Sequence, residues 1–303
     1  MSALVHFSSE LKDWIHHNLA RGCSHDALVD SMATQGFDSR VAHGLVNAFA
    51  AALARGETVS GESMVLELPE EAARPADMGA YVPDMPRLPS GNRILSIDRE
   101  VDVLVRLQRP CVAVLSNVLS EQECAAVIAM GTPHLRPSTI VDPHSGTDQV
   151  AMHRSSDGMF FSLGENELIA RIDRRVSALM GLPVEYGEGL QLLRYRPGCH
   201  SSPHYDFLVP QNAANRASIA RSGQRVSTLV IYLNDVPAGG ATDFPELGLS
   251  VTPRRGNAVY FEFANGAGQV DHATLHAGTA VESGEKWVLT KWMRTRPFVP
   301  ATR

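Results

Sequence analysis

His204 and Asp206 stand two residues apart, His276 follows 70 residues after Asp206, and Lys286 comes ten residues later. Two imidazoles and one carboxylate are the donor set of a facial iron(II) site, which leaves three coordination positions for oxygen and a co-substrate. On a strand, residues two apart share a face, so His204 and Asp206 can reach one ion from a single strand or its end. His276 lies in a second strand-like segment, 273–278. Lys286 opens the run Lys-Trp-Val-Leu-Thr-Lys-Trp-Met, which alternates like a strand with one buried face. A lysine on a neighbouring strand would set a cation beside the metal, where it suits a dicarboxylate co-substrate. His200 and His272 stand four residues before His204 and His276. Even spacing keeps them on the same strand face, so spacing alone leaves them open as rival ligands.

The elements that must position these groups are readable from periodicity. Strand-like runs dominate from Leu190 onward, at 190–195, 226–233, 257–263, 271–277 and 286–293. Before them come a helix over 121–131 capped by Ser120 and a helix over 165–180 with Leu168, Ile169, Ile172, Val176 and Leu179 at helical spacing. Helices first and strands after predict an α+β domain.

The first 56 residues read as a separate three-helix domain. Leu11, Trp14, Ile15 and Leu19 mark the first helix, ended by Gly22. Ser24 caps the second, which carries Leu28, Val29 and Met32. After Gly36-Phe37, Val41, Leu45, Val46, Phe49 and Leu53 mark the third. Residues 57–92 hold Pro69, Pro75, Pro83, Pro86 and Pro89, a density that predicts an extended linker. The catalytic domain is then expected over 93–303.

Composition narrows the function classes. The 303 residues are 44% hydrophobic, enough for a sizeable core, and the net charge of −6 gives no electrostatic footprint for nucleic acid. No apolar run reaches the ~18 residues of a membrane span, and the N-terminus lacks the pattern of a secretory signal. Cys23, Cys111, Cys124 and Cys199 are scattered and do not make a disulfide framework. Cytoplasmic location is the expectation. Gly239-Gly240 reads as a turn, and no phosphate-cradling glycine loop is present.

From about Arg93 to Phe298 the chain resembles the prolyl 4-hydroxylase branch of the 2-oxoglutarate- and iron(II)-dependent oxygenases. The matching stretches fall in that family's order. They include Asn117-Val118-Leu119-Ser120 before Glu123-Cys124, Arg154-Ser155-Ser156-Asp157-Gly158, and Arg194-Tyr195-Arg196-Pro197-Gly198 leading into His204-Tyr205-Asp206. Gln224-Arg225-Val226-Ser227-Thr228, Tyr232-Leu233-Asn234-Asp235 and Gly239-Gly240-Ala241-Thr242-Asp243 follow. His276-Ala277-Gly278, Gly284-Glu285-Lys286-Trp287 and Lys291-Trp292 close the series. The resemblance implies a double-stranded β-helix, or jelly-roll, with supporting helices, preceded here by the small all-α domain. It implies Fe(2+), 2-oxoglutarate and O2, with ascorbate as reductant, and selects His204, Asp206 and His276 as metal ligands. Lys286 would pair with the distal carboxylate of 2-oxoglutarate, with Arg225 and Lys291 the next cations. Tyr195 and Thr228 match positions lining that pocket, and Trp292 an aromatic position near the metal. The N-terminal helices resemble ubiquitin-associated-type domains, which implies a protein partner.

The resemblance implies a hydroxylase acting on a prolyl residue in a protein or peptide. Two other readings stand beside it, a hydroxylase of a free amino acid or other small molecule, and a non-catalytic binding protein acting through the helical domain. Three departures bear on substrate. Cys199-His200-Ser201-Ser202 replaces a stretch that is often aromatic and charged, and Asp243 stands where an apolar or basic residue is common. The polar segment 207–224, with Asn212, Asn215, Arg216 and Arg221, is expected to be a lid.

Overall fold

The structure is a computed structural model that describes residues 2–21, 23, 25–34, 37, 39–57, 59, 61–67, 81–137, 139–141, 148–150, 156–210 and 213–301. The chain divides into two units, Met1–Gly79 and Ala80–Arg303.

The first unit contains the three expected helices, α1 (Ser9–Ala20), α2 (His25–Thr34) and α3 (Ser39–Ala54). Ile15, Leu28, Val29, Met32, Leu45, Val46 and Phe49 form its core, as their helical spacing predicts. Trp14 stands at the surface instead. The expected roles of Gly22, Ser24 and Gly36 fall outside the described residues. The unit is not purely helical. Strands β1 (Ser2–His6) and β2 (Ser63–Glu67) pair antiparallel, and Leu66 and Phe7 join the helical core. The linker expected over 57–92 is therefore too long at its start, because Leu66 is a core residue.

It is too long at its end as well. Arg87 pairs with the buried carboxylate of Glu262 at 2.8 Å, and Gly266 N donates to Asp84. Asn265 donates to the Val82 carbonyl. These bonds tie 82–87 to the second unit, so that unit starts before residue 93. The prolines of the segment misled the boundary: they remove donors, yet the residues between them still carry side chains that anchor.

The second unit consists of β3 (Arg93–Leu95), β4 (Glu100–Gln108), β5 (Cys111–Ser116), α4 (Glu121–Gly131), β6 (Arg136–Pro137), β7 (Thr139–Val141), β8 (Asp148–Val150), β9 (Ser156–Phe161) and α5 (Glu167–Leu179). Then come β10 (Leu190–Tyr195), β11 (Ser201–His204), α6 (Ala213–Ser222), β12 (Arg225–Tyr232), β13 (Ala238–Gly239), β14 (Thr242–Phe244) and β15 (Leu249–Val251). The last are β16 (Ala258–Glu262), β17 (His276–Gly278), β18 (Val281–Ser283) and β19 (Lys286–Arg294). A nine-stranded sheet runs in the order β3-β4-β5-β16-β12-β19-β10-β9-β6, and a four-stranded sheet in the order β11-β17-β14-β15. Every strand pairing is antiparallel. Two sheets with long-range crossovers are the jelly-roll arrangement expected.

Helices α4 and α5 are joined by a buried charge cluster. Ser120 and Glu123 form a reciprocal capping box at the start of α4. The guanidinium of Arg175 on α5 donates to Glu123 at 2.8 Å and to Asp98 at 2.6 Å. Burial would raise the Glu123 carboxyl, but Arg175 and the Ser120 N–H hold it down at about 2. Lys291 on β19 reaches back to Asp173 of α5 at 2.8 Å.

β19 is an interior strand, between β12 and β10. The expectation of one buried face fails here, since every residue from Lys286 to Arg294 is buried. Trp287, Leu289, Lys291 and Met293 occupy one face, and the tie from Lys291 to α5 shows what covers it. Lys286, Val288, Thr290 and Trp292 occupy the other and line a cavity.

Candidate active site

Strand β11 delivers His204 at its last residue, and β17 delivers His276 at its first. The two are direct partners in the β11–β17 ladder, their rings 4.4 Å apart. Asp206 sits one residue beyond Tyr205, where the chain leaves the strand. Its carboxylate lies 3.7 Å from Nε2 of His204 and 3.6 Å from Nε2 of His276. The three ligand atoms lie within 4.8 Å of one another, and no other group of three His, Cys, Asp or Glu among the described residues converges this way.

Each imidazole is oriented by its own backbone. Nδ1 of His204 lies 2.8 Å from the Ser202 carbonyl, and Nδ1 of His276 lies 3.0 Å from the Thr274 carbonyl. A carbonyl only accepts, so Nδ1 carries the proton and the Nε2 lone pair is left for a metal. Phe261 and Phe244 flank the His276 ring at 4.7 and 5.7 Å. The Asp206 carboxyl is buried, which alone would raise its pKa. His276, His204, Arg225 and the Thr228 hydroxyl outweigh burial and hold it at about 2. Two imidazole nitrogens and a carboxylate are a fitting donor set for iron(II).

His272 and His200 are not part of this cluster. A 3-10 turn over His272–Thr274, capped by Asp271, interrupts the strand expected at 271–277. The turn sends the His272 ring against Tyr205 at 5.1 Å and Phe207 at 5.4 Å. His200 is exposed and precedes β11, so the period of two does not reach it.

Lys286 lies on the cavity wall, 4% exposed. Its ammonium stands 5.6 Å from the Tyr195 ring and 5.8 Å from the Tyr232 ring. Burial pushes its pKa down to about 8, and no carboxylate offsets this. Lys291 and Arg225, the other cations considered, are already paired, with Asp173 and Glu188. Tyr195 and Trp292 also line the cavity, as expected. Arg225 stacks over Trp292 at 4.2 Å and fixes that wall.

Thr228 stands elsewhere than expected. It is not on the cavity wall; its hydroxyl donates to Asp206 at 2.7 Å. It braces the carboxylate of a candidate metal ligand. Thr228→Val keeps the shape and removes the bond. Metal affinity should then fall about tenfold, read by cobalt(II) titration of the purified protein. An unchanged affinity would show that the bond does not orient the carboxylate.

Thr242 on β14 does line the cavity. Alternation was the signal, since Thr242 and Phe244 are buried and Asp243 between them faces the other way. That orientation keeps Asp243 off the cavity wall. Ser201, Gly278 and Thr290 also line the cavity and escaped the sequence reading. The segment 207–224 is no free flap. α6 occupies most of it, and Arg294 donates to Gly223 O at 2.7 Å and to Ser218 at 2.7 Å. Asn212 lies outside the described residues.

A model of the 2OG-Fe(II) oxygenase superfamily matches residues 190–294. The chain is 36% identical over 209 residues to probable prolyl 4-hydroxylase 10 of Arabidopsis thaliana, covering 62% of this chain and 70% of that protein. It is 37% identical over 202 residues to prolyl 4-hydroxylase 1 of the same plant, again covering 62% and 70%. Among solved structures, the viral collagen prolyl hydroxylase of Paramecium Bursaria Chlorella virus-1 in its 2OG complex matches with 28% identity and a TM-score of 0.47, covering 60% of this chain and 94% of that one.

Proposed function

The chain belongs to the prolyl 4-hydroxylase family of 2-oxoglutarate- and iron(II)-dependent oxygenases, and from that premise we propose that it hydroxylates a prolyl residue within a protein or peptide. The observation that carries this reading is one small cavity holding both a His-Asp-His cluster and a buried lysine that has no counter-ion among the described residues. Iron(II), 2-oxoglutarate and dioxygen supply the oxidising chemistry when bound, and succinate and carbon dioxide leave. His204, Asp206 and His276 hold the metal. Thr228 and the two backbone carbonyls fix the ligand orientations. Lys286 receives the distal carboxylate, with Tyr195 and Thr242 beside it, while Leu193, Val230, Val288 and Trp292 exclude water from the same wall. The side chain of His204 is 40% exposed while those of Asp206 and His276 are buried, so a substrate approaches from the His204 side.

The N-terminal unit fits a recruiting role. It has its own core, and Trp14 and Phe37 stand exposed at a cleft that Leu11 and Met32 also line. A protein partner is the occupant its ubiquitin-associated-like pattern suggests.

The test is succinate release by the purified chain with iron(II) and 2-oxoglutarate. Proline-containing peptides should stimulate release and gain one oxygen atom by mass spectrometry. Stimulation by free amino acids with no response to any peptide would overturn the peptide reading in favour of a small-molecule hydroxylase.

A further inference from the structure

Every polar atom of Glu188 is committed. Its N–H donates to the Trp292 carbonyl at 2.9 Å, and its own carbonyl accepts from Lys291 Nζ at 2.6 Å. Its carboxylate accepts from Nε and Nη2 of Arg225 at 2.6 and 2.8 Å, and from Nε of Arg294 at 2.7 Å. Glu188 stands just before β10, so these bonds tie the start of that strand to β12 and β19.

The two guanidiniums then reach different places. Arg294 goes on to the Gly223 carbonyl and the Ser218 hydroxyl, both at 2.7 Å, and so holds α6. Arg225 goes on to the segment that carries a metal ligand. Its Nη1 donates to the Asp206 carbonyl at 3.4 Å, and its Cζ lies 4.2 Å from the Trp292 ring centroid. A carboxylate buried between two guanidiniums returns little stability, since desolvating the charges costs about what their attraction gives back. Such a group does set geometry. Two N–H bonds to one carboxylate fix the plane of a guanidinium, which a single bond would leave free to turn. With Nε and Nη2 held by Glu188, Nη1 is aimed at Asp206 and the flat face is laid on Trp292.

We infer, on the reading of His204, Asp206 and His276 as metal ligands, that Glu188 is a positioning residue for the metal site: it fixes Arg225, and Arg225 fixes the Asp206 backbone and the Trp292 wall. Thr228 braces the Asp206 carboxylate and Arg225 its main chain, so the ligand is held at both ends. Glu188 acts one residue removed from it.

The experiment is cobalt(II) titration of the full chain, read by affinity and by the visible d–d bands of the bound ion, with thermal unfolding alongside. The buried cluster of Glu123, Arg175 and Asp98 supplies the control. It joins α4 to α5, elements that carry no metal ligand. Glu188→Gln and Glu123→Gln each keep the shape and remove a buried charge, and both should lower the melting temperature. A direct partner of a ligand is worth about ten- to a hundredfold in metal affinity, and Glu188 acts one residue further out, so Glu188→Gln should weaken cobalt(II) binding about fivefold. Its d–d bands should shift. Arg225→Lys keeps the cation, loses the fork and should do the same. Because one residue acts through the other, the double variant should lose no more than either single variant. Glu123→Gln should keep the parent's affinity and bands. A Glu188→Gln protein that melts earlier yet shows parent affinity and bands would overturn the inference and leave Glu188 a structural residue. Additive losses in the double variant would rule out action through Arg225. Weakened cobalt binding in Glu123→Gln would also overturn it, because the loss would then follow stability alone. If Glu188→Gln does not fold, Arg225→Lys decides, and parent bands there sink the inference. Cobalt bands that survive His276→Ala would overturn the metal reading itself.

Discussion

Replacing His276 with alanine should abolish the weak visible charge-transfer band that iron(II) and 2-oxoglutarate give together under anaerobic conditions. The expectation follows from how little else the site offers. His276 is buried, its Nδ1 is committed to the Thr274 carbonyl, and its Nε2 faces Asp206 at 3.6 Å. Removing a group that merely supports a ligand costs about ten- to a hundredfold in metal affinity. Removing the ligand should cost more than about a hundredfold by the same scale, and succinate release should stop with it. His272→Ala is the matched control. It loses a ring packed on Tyr205 and Phe207, so some stability should go, but the band should remain. A band that survives in His276→Ala and disappears in His272→Ala would reverse the assignment.

The contrast between those two histidines shows where sequence reasoning holds and where it stops. Strand-like apolar runs placed the strands carrying Tyr195, Thr228 and Lys286 almost to the residue. A period of two could not separate His272 from His276. A 3-10 turn between them breaks the period, and the only local sign was Asp271 before it, which caps Ala273 N at 3.0 Å. Thr228 shows a different limit. Strand periodicity put it on the correct strand, but whether a hydroxyl meets a ligand or another side chain depends on what stands opposite. Asp206 stands there, delivered from a strand of the other sheet.

The segment boundaries were hardest to read. Leu66 belongs to the N-terminal core and Arg87 to the catalytic unit's ion pairs, so the expected linker borrowed residues from both. Proline density marks poor strand and helix formers, but it says nothing of long-range bonds such as Arg87 to Glu262. α6 was hidden for a related reason. Its ten residues carry almost no apolar stripe, and it is held from outside by Arg294 and Arg296. Periodicity detects helices that bury a face, and this one is instead held by polar bonds.

Replacing Lys286 with alanine should raise the 2-oxoglutarate dissociation constant about ten- to a hundredfold. A hydrogen bond to a charged group is worth roughly 1.5–3 kcal/mol, and each 1.4 kcal/mol is about tenfold. Neither alternative cation can take over, since Lys291 is bound to Asp173 and Arg225 to Glu188. The metal ligands are untouched, so oxalate and metal affinities should stay close to the parent. The pH dependence gives an independent signature. Burial lowers the Lys286 pKa to about 8, so the ligand-free lysine is charged below that pH and neutral above it. The distal carboxylate needs the charged form, and once bound it raises the lysine pKa. Between the two values the dissociation constant should climb tenfold per pH unit, and below about pH 7 it should be flat. The same shift acts on stability with a fixed sign. The folded pKa lies below the unfolded 10.5, so the unfolded chain binds the extra proton between them. The lysine's contribution to ligand-free stability therefore rises with pH from about 8 to 10.5 and is lost again as pH falls through 8. Lys286→Ala should remove both dependences together. Calorimetry across pH 6 to 10 reads the first and thermal unfolding across the same range the second. A parent protein whose 2-oxoglutarate affinity stays flat through pH 8 to 10 would show that the carboxylate does not bind this lysine.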